Sequence, residues 1–512
     1  MATWFLLLLT LSLAALLTPL LRRRTPRKNL PPGPSPLSST LLLLTTSLSN
    51  LEPALKTLKS KHGPLITLFV GSRPSIFVAT HSLTHHILIQ NGAVFSDRPR
   101  TFAVRNISSA PYGPTWRLLR RNLAAELLHP ARVNSYSWAR KWVLHILINR
   151  LRHENGNGNG GVNGVKVMDH FQYAMFCLLV VMCFGEKVDE NRINEIATVQ
   201  RRLLLLVGSG RFNVLGVFPR LGRVLFFNRW KELLQMRSDQ EQTLIPLIKS
   251  RIESMKSESK NERFVAYVDT LVNLELPEEE GGKEGGGKLT EKEMVSMCGE
   301  FLNAGTDTTS TALQWIMANL VKFPRIQRKL YEEIVAVVGP PPPPRKDLEV
   351  EQVITEEDVQ KMVYLKAVVL EGLRRHPPGH FVLPHRVMKE VEVEGYTIPQ
   401  GATINFMVGE MGLDPEVWDE PMEFKPERFL VSDGVFDITG SKGIKMMPFG
   451  AGRRICPGSD LALLHLEYFV ANLVWYFDWS VADGYDVDLC EKSEFTVVMK
   501  NPLRAQISSR VE

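Results

Sequence analysis

The clearest chemical spacing in the chain is the run Phe449-Gly450-Ala451-Gly452-Arg453-Arg454-Ile455-Cys456-Pro457-Gly458. A single thiol closes a glycine-rich turn. Glycines let the backbone come close to a flat ligand, and their amides can point at the sulfur. A Leu-rich stretch over 458–476 reads as a helix starting just behind Cys456, so its positive end also faces the sulfur. Both effects favour the thiolate, which is the metal-binding form. Phe449 can pack against the cysteine and a ring bound to it. Arg454 can hold a carboxylate with a two-pronged guanidinium. A plain glycine turn around a buried cysteine is the bland alternative, and the ten-residue pattern is too specific for it.

A second constellation is Ala304-Gly305-Thr306-Asp307-Thr308-Thr309, inside a helix expected over 290–321. An acid beside an alcohol in an apolar helix can carry protons into a dry pocket that supplies none itself. By itself the stretch could also be a threonine-rich kink. Three weaker signals accompany it. Glu371 and Arg374 share a helix face at i, i+3, followed by Pro426-Glu427-Arg428-Phe429. Trp116 and Arg120 are four apart on one face. Arg386 ends the run Leu383-Pro384-His385-Arg386.

In this order and company, the motifs resemble those of the cytochrome P-450 family, and most closely its plant microsomal members, over nearly the whole soluble chain. The resemblance implies a mainly α fold with a minor β region and haem b (iron protoporphyrin IX) as cofactor. It makes Cys456 the metal ligand, a thiolate that pushes electron density onto iron and favours O–O cleavage. Trp116, Arg120 and Arg386 match positions that hold the haem propionates. Ala304 and Gly305 match small residues beside the O2 site, and Asp307 and Thr308 the acid–alcohol pair. Glu371, Arg374 and Arg428 match a buried structural network. The activity implied is a monooxygenase that puts one atom of O2 into an apolar small molecule. Its electrons would come from NADPH through a separate flavoprotein reductase, because no G-x-G-x-x-G follows a strand here. Arg121, Lys442, Lys445 and Arg453 are candidates for a basic docking face. Two rivals are a haem-thiolate isomerase or dehydratase and a non-catalytic membrane haem protein. The intact Asp307-Thr308 pair argues against the first.

These groups need a scaffold, and the rest of the chain supplies one. It has 512 residues, a formal charge of +6 and 44% hydrophobic residues, a normal globular composition that calls for no nucleic-acid partner. Five cysteines without a C-x-x-C pair argue against a disulfide framework or a zinc knuckle and fit a reducing compartment. Residues 2–21 are apolar, long enough to span a bilayer, and precede the cluster Arg22, Arg23, Arg24, Arg27 and Lys28. That order predicts a transmembrane anchor in the endoplasmic reticulum with the catalytic body on the cytosolic side. There the sequon Asn106-Ile107-Ser108 should stay unmodified. A basic and Pro-rich linker, 22–34, leads to one large domain, 35–512. It carries strands over 65–70, 75–79 and 391–399, and helices over 113–150, 168–184, 190–207, 228–257, 290–321, 324–338, 356–375 and 458–476. Asn155–Gly164, Leu276–Lys288 and Gly339–Arg345 read as surface loops. Segments 100–113, 205–220 and 379–384, with Phe301 and Ala304 on the long helix, are candidates for substrate contacts; Phe102, Phe212, Phe218 and Phe381 are candidates for an apolar pocket, with ordinary core packing as the alternative.

Overall fold

The computed structural model describes residues 29–45, 48–70, 73–99, 106–156, 164–209, 212, 215, 219–257, 264–277, 287–342, 352–430 and 436–510. The expected anchor at 2–21 and linker residues 22–28 lie outside these. The architecture is mainly helical with a minor β region, as expected. Its contacts divide it into two compact units. One comprises Met1–Pro99, Phe381–Met407 and Gly452–Arg454; the other comprises Arg100–His380, Val408–Ala451 and Ile455–Glu512.

The first unit is built on four strands, β1 (Leu65–Val70), β2 (Arg73–Val78), β3 (His385–Arg386) and β4 (Thr403–Phe406), in the order β1-β2-β4-β3. β1 and β2 are antiparallel with Leu65 opposite Val78. β4 runs parallel to β2, with Ile76 opposite Ile404, so it must arrive from a distant part of the chain. Ile66, Leu68 and Phe77 bury one face on Leu55 and Met407. The strand-rich stretch expected over 391–399 is a hairpin, Val391–Val393 against Tyr396–Ile398. Glu394 (φ 50°) and Gly395 (φ 73°) both lie in the left-handed region, which a two-residue type I′ turn demands. The Glu-Gly pair was a turn signal hidden inside an alternating run.

The second unit holds the long helices. These include α1 (Pro114–Asn122), α2 (Val167–Phe184), α3 (Glu190–Gly208), α4 (Phe227–Ser257), α5 (Glu291–Lys322), α6 (Val363–Arg375) and α7 (Ser459–Tyr476). Sequence boundaries hold within two residues for α2 to α5 and α7. The helix expected over 113–150 is broken, because Pro130 opens a new helix with His129 as its cap and cannot continue the old one. The helix expected over 356–375 is two, Glu356–Gln360 and α6. Nothing local announces the second start. Its first amides, Tyr364 and Leu365, donate to the Glu333 carboxylate at 2.7 and 2.9 Å, a cap supplied from another helix.

α5 runs through the core: every residue from Thr309 to Val321 is buried. α2 packs along it and is buried on nearly all sides. Among the described residues, α2 alone is long and apolar enough to cross a membrane, but 83% of that stretch is buried inside the protein, which makes it a core helix. Its composition is what an all-round apolar environment asks for. The largest buried rings keep their polar atoms paired, with Trp315 donating to the Val497 carbonyl at 2.8 Å and Trp479 to Leu473 at 2.9 Å.

Candidate functional site

The cysteine loop is held by its backbone. Gly450 and Gly452 sit at φ 69° and 68°, a region other residues enter at a cost. A side chain on Gly452 would also meet the Leu88 carbonyl oxygen at 2.2 Å. The Cys456 amide donates to the Phe449 carbonyl at 2.8 Å, which closes the turn and ties the aromatic residue to the thiol. α7 begins at Ser459 with Gly458 as its cap, so the helix does start behind the sulfur. The Gly458 amide donates to the sulfur, and the Arg120 guanidinium lies close enough to favour its anion. Burial nevertheless outweighs both and pushes the Cys456 thiol up from its ordinary value. A metal cation on the sulfur would favour the thiolate further.

Arg120 itself is half-buried on α1, its cation disfavoured by burial and supported by Cys456. Trp116, one turn earlier, is buried against Tyr112 at 5.2 Å between ring centres. These two and Cys456 belong to one unit and form one face of chemistry.

The α5 residues separate into three directions. Ala304 is exposed although the helix around it is largely buried, so it faces open space. Gly305 is small for another reason: a methyl there would lie 2.6 Å from the Leu179 side chain on α2. It is a helix-packing glycine, and Ala304 carries the free volume. Thr308 donates its hydroxyl to the Ala304 carbonyl at 2.6 Å, bending toward the same open face. Asp307 points elsewhere. Its carboxylate accepts from the Thr496 hydroxyl at 2.7 Å and from Arg201 on α3 at 3.3 Å. Consecutive helix residues do not face each other, so the acid and the alcohol are not in direct contact. Burial holds the Asp307 carboxyl above its usual range, with Thr496 and Arg201 opposing. A cavity of about 260 Å³ reaches Asp307 past Arg201, and Gln200 Nε2 and Thr306 Oγ1 line it without a partner among the described residues. A cavity of that size with such donors is suited to hydration.

The first unit contributes a cationic cluster of its own. Arg386 pairs with Asp97 at 3.2 Å, and Arg454 donates to the Ser96 carbonyl at 2.8 Å. Arg98 is buried and donates to the carbonyls of Leu383 and Pro384 at 2.7 and 2.9 Å. His385 hydrogen-bonds the Phe95 carbonyl at 2.7 Å and is pushed down to about 3 by burial and by the charges of Arg98 and Arg454. Arg386 thus pairs with the Asp97 carboxylate, while Arg98 and Arg454 hold backbone carbonyls of the same unit. Sequence reasoning missed Arg98 and His385, although His385 adjoins Arg386 and Arg98 adjoins Asp97. It also missed Arg201 and Thr496, which lie 106 and 189 positions from Asp307 and carry no local signal.

The structural network is complete. Arg374 uses all five of its donors: two on Glu371 at 2.6 and 2.8 Å, and three on the carbonyls of Gly412, Pro421 and Glu423. Glu371 also accepts from Arg428 at 3.1 Å and the Lys425 amide at 2.7 Å. Glu371 and Arg374 are fully buried, and Trp418 covers both arginines at 5.4 and 5.9 Å.

Of the aromatic pocket candidates, Phe102 and Phe218 lie outside the described residues. Phe212 packs with Leu215, Leu233 and Met236, Phe301 with Tyr267, and Phe381 with Phe77.

The residues fit the expected cofactor: a half-buried cysteine backed by an amide and a cation, and an open face at Ala304. A family model described as Cytochrome P450 matches residues 31–508. The chain is 48% identical to Cytochrome P450 89A9 of Arabidopsis thaliana, with 94% of each protein covered. It is 31% identical to a beta-amyrin 24-hydroxylase of Glycine max, covering 94% of this chain and 93% of that one. A solved zebra fish cytochrome P450 bound to abiraterone shares the fold, with a TM-score of 0.69 and 22% identity over 90% of this chain and 100% of its own.

Proposed function

The chain belongs to the cytochrome P450 family, and from that premise we propose that it is a membrane-anchored monooxygenase acting on an apolar small molecule with electrons from NADPH, delivered by a separate flavoprotein reductase. As a member it is an oxidoreductase with haem b as cofactor and O2, a substrate and a redox partner as its partners. The observation that carries the reading is Cys456, closed onto Phe449 and backed by Gly458 and Arg120.

When bound, the haem supplies the activation of O2, which no protein side chain provides. The roles proposed for the chain come from the family resemblance, and its geometry supports them. Cys456 holds the iron. Trp116, Arg120, Arg386 and Arg454 hold the propionates, with Arg98 and His385 supporting the latter two. Ala304 leaves room for O2, and Thr308 presents a hydroxyl on that side. Asp307 passes protons at its buried carboxyl, with the cavity beside Arg201 as the route from solvent. Since Asp307 and Thr308 face different sides, water or a change of Asp307 rotamer completes the relay. Glu371, Arg374 and Arg428 are structural. The run at 2–21 anchors the protein in the endoplasmic reticulum membrane, with its body in the cytosol.

Arg121, Lys442, Lys445 and Arg453 are each exposed, as a docking face for an acidic reductase requires. Reversing two of them, Arg121→Glu with Lys445→Glu, should slow reductase-driven O2 consumption at low salt, with the deficit shrinking as salt rises. Unchanged NADPH-dependent turnover at low salt would reject this face. Absence of any reductase-dependent O2 uptake by the unaltered protein would favour the isomerase reading.

A further inference from the structure

A hairpin late in the chain carries the hydroxyl partner of Asp307. Its strands, Glu491–Ser493 and Val497–Met499, are antiparallel, with Glu491 opposite Met499 and Ser493 opposite Val497. Thr496 lies at the turn, is buried, and donates its hydroxyl to Asp307 at 2.7 Å. The hydroxyls of Thr496 and Thr311 are 3.3 Å apart, a second tie of this side chain to α5. A two-stranded hairpin is marginal by itself, so the place of Thr496 depends on what grips the strands.

The grip comes from the end of α6. His376 is fully buried and stacks on Trp315 of α5, with ring centres 3.9 Å apart and planes 4° apart. Its Nδ1 lies 2.8 Å from Glu491 Oε1, and His380 Nε2 lies 3.4 Å from the other carboxylate oxygen. Burial pushes the His376 imidazole down to about 4, so it is neutral at ordinary pH. Burial raises Glu491, but the hydrogen bond from His376 and the neighbouring His380 and Arg375 outweigh it and hold the carboxyl below its usual range. An ionised carboxylate only accepts, so Nδ1 carries the imidazole proton. Trp315 in turn donates to the Val497 carbonyl at 2.8 Å, and the Val497 amide donates to the Pro378 carbonyl at 2.8 Å. One imidazole thus backs both strands: the first directly at Glu491, the second through Trp315 at Val497. Thr496 is the residue next to that pinned position.

We propose that His376 is a positioning residue for Asp307: it grips both strands of the 491–499 hairpin and so fixes the Thr496 hydroxyl on the acid. His376 touches no reacting atom. Being neutral, it strips no charge from the region when it is replaced, so its effect on Asp307 runs through position. The groups facing Asp307 are Arg201 on α3 and Thr496 and Glu494 on the hairpin. Thr496 holds the Asp307 carboxyl down more strongly than Glu494 pushes it up. A loosened hairpin therefore raises the proton affinity of Asp307. For the chemistry at Asp307 the inference rests on the monooxygenase reading; the grip itself does not.

The test uses the haem-loaded protein with His376→Ala, His376→Asn, Thr496→Val and the double variant His376→Ala with Thr496→Val. Asparagine keeps a donor for Glu491 but not the stacked ring. Amide hydrogen exchange is followed at Val497 and, as control, along α2. Exchange at Val497 should rise by about tenfold or more in His376→Ala, with His376→Asn between. The α2 control should not move. Product per O2 is then measured against pH. The pH at which turnover begins to depend on the acid should move upward in His376→Ala and in Thr496→Val. The double variant should match Thr496→Val alone, because the histidine acts through that hydroxyl. Unchanged exchange at Val497 in His376→Ala overturns the grip. Faster exchange with an unmoved pH dependence overturns the positioning of Asp307. A further upward move in the double variant overturns the route through Thr496. A wild-type protein that forms no product from O2 would defeat the monooxygenase reading and the role at Asp307 with it, while the exchange result would still decide the grip. Should His376→Ala not fold, His376→Asn against wild type decides both arms.

Discussion

Asp307→Asn lowers the reductase-supported turnover of a bound substrate by about 10²–10⁴-fold while the protein keeps its haem and its melting temperature. Asparagine preserves the shape; its one oxygen can accept from Arg201, and its NH2 can donate to the Thr496 hydroxyl where the carboxylate accepted from it. It cannot hold an exchangeable acid proton, so the loss falls on proton supply. O2 uptake should then part from product formation. The electrostatics make a second outcome specific. Burial raises the Asp307 carboxyl and Arg201 lowers it. Arg201→Gln therefore raises that pKa further, and the pH at which turnover begins to depend on the acid moves upward. In Asp307→Asn the same dependence disappears. Measuring product per O2 against pH for the three proteins checks both. Full coupling in Asp307→Asn, or a downward shift in Arg201→Gln, would remove Asp307 from the relay.

Glu371→Gln should cost about 3–5 kcal/mol, since it strands buried guanidinium charge. The geometry argues for the upper part of that range. Glu371 accepts four hydrogen bonds, from two arginines and a backbone amide, with no exposure to water that could screen the loss. Among the described residues, the other partners of Arg374 are carbonyls it already uses. A domain is stable by about 5–15 kcal/mol in total, so much of the variant should be recovered unfolded or without haem. Haem per polypeptide and the thermal midpoint measure this. Arg428→Gln should be milder, because that side chain is 10% exposed and makes one bond of 3.1 Å to Glu371. Equal losses in the two variants, or none in Glu371→Gln, would contradict the assigned hierarchy.

The sequence told most where the signal was local. Gly450, Gly452 and Cys456 announced the loop because left-handed backbone and close approach are properties of single residues. The periodicity of α5 and α7 gave their positions within two residues, since one apolar surround sets the pattern along the whole helix. It told less where a long-range partner decides. The start of α6 depends on Glu333, and the orientation of Asp307 depends on Thr496 and Arg201. Gly305 shows a subtler limit: its smallness was legible, but its reason, Leu179 on another helix, was not. The hairpin at Glu394-Gly395 was readable and was obscured by the alternation on either side. The cation cluster at Arg98, His385, Arg386 and Arg454 draws on three separated segments, so only two of its members carried a motif.

The thiol is the point on which everything else depends. Burial raises the Cys456 pKa despite Gly458 and Arg120, and on the proposed function this sulfur would bind the iron as a thiolate. The absorption spectrum of the reduced, CO-bound protein reads that bond directly. A Soret band at the position characteristic of thiolate ligation, lost in Cys456→Ala and displaced to the histidine position in Cys456→His, is the predicted result. A histidine-type band in the wild-type protein, or a thiolate band that survives Cys456→Ala, would contradict the account at its centre.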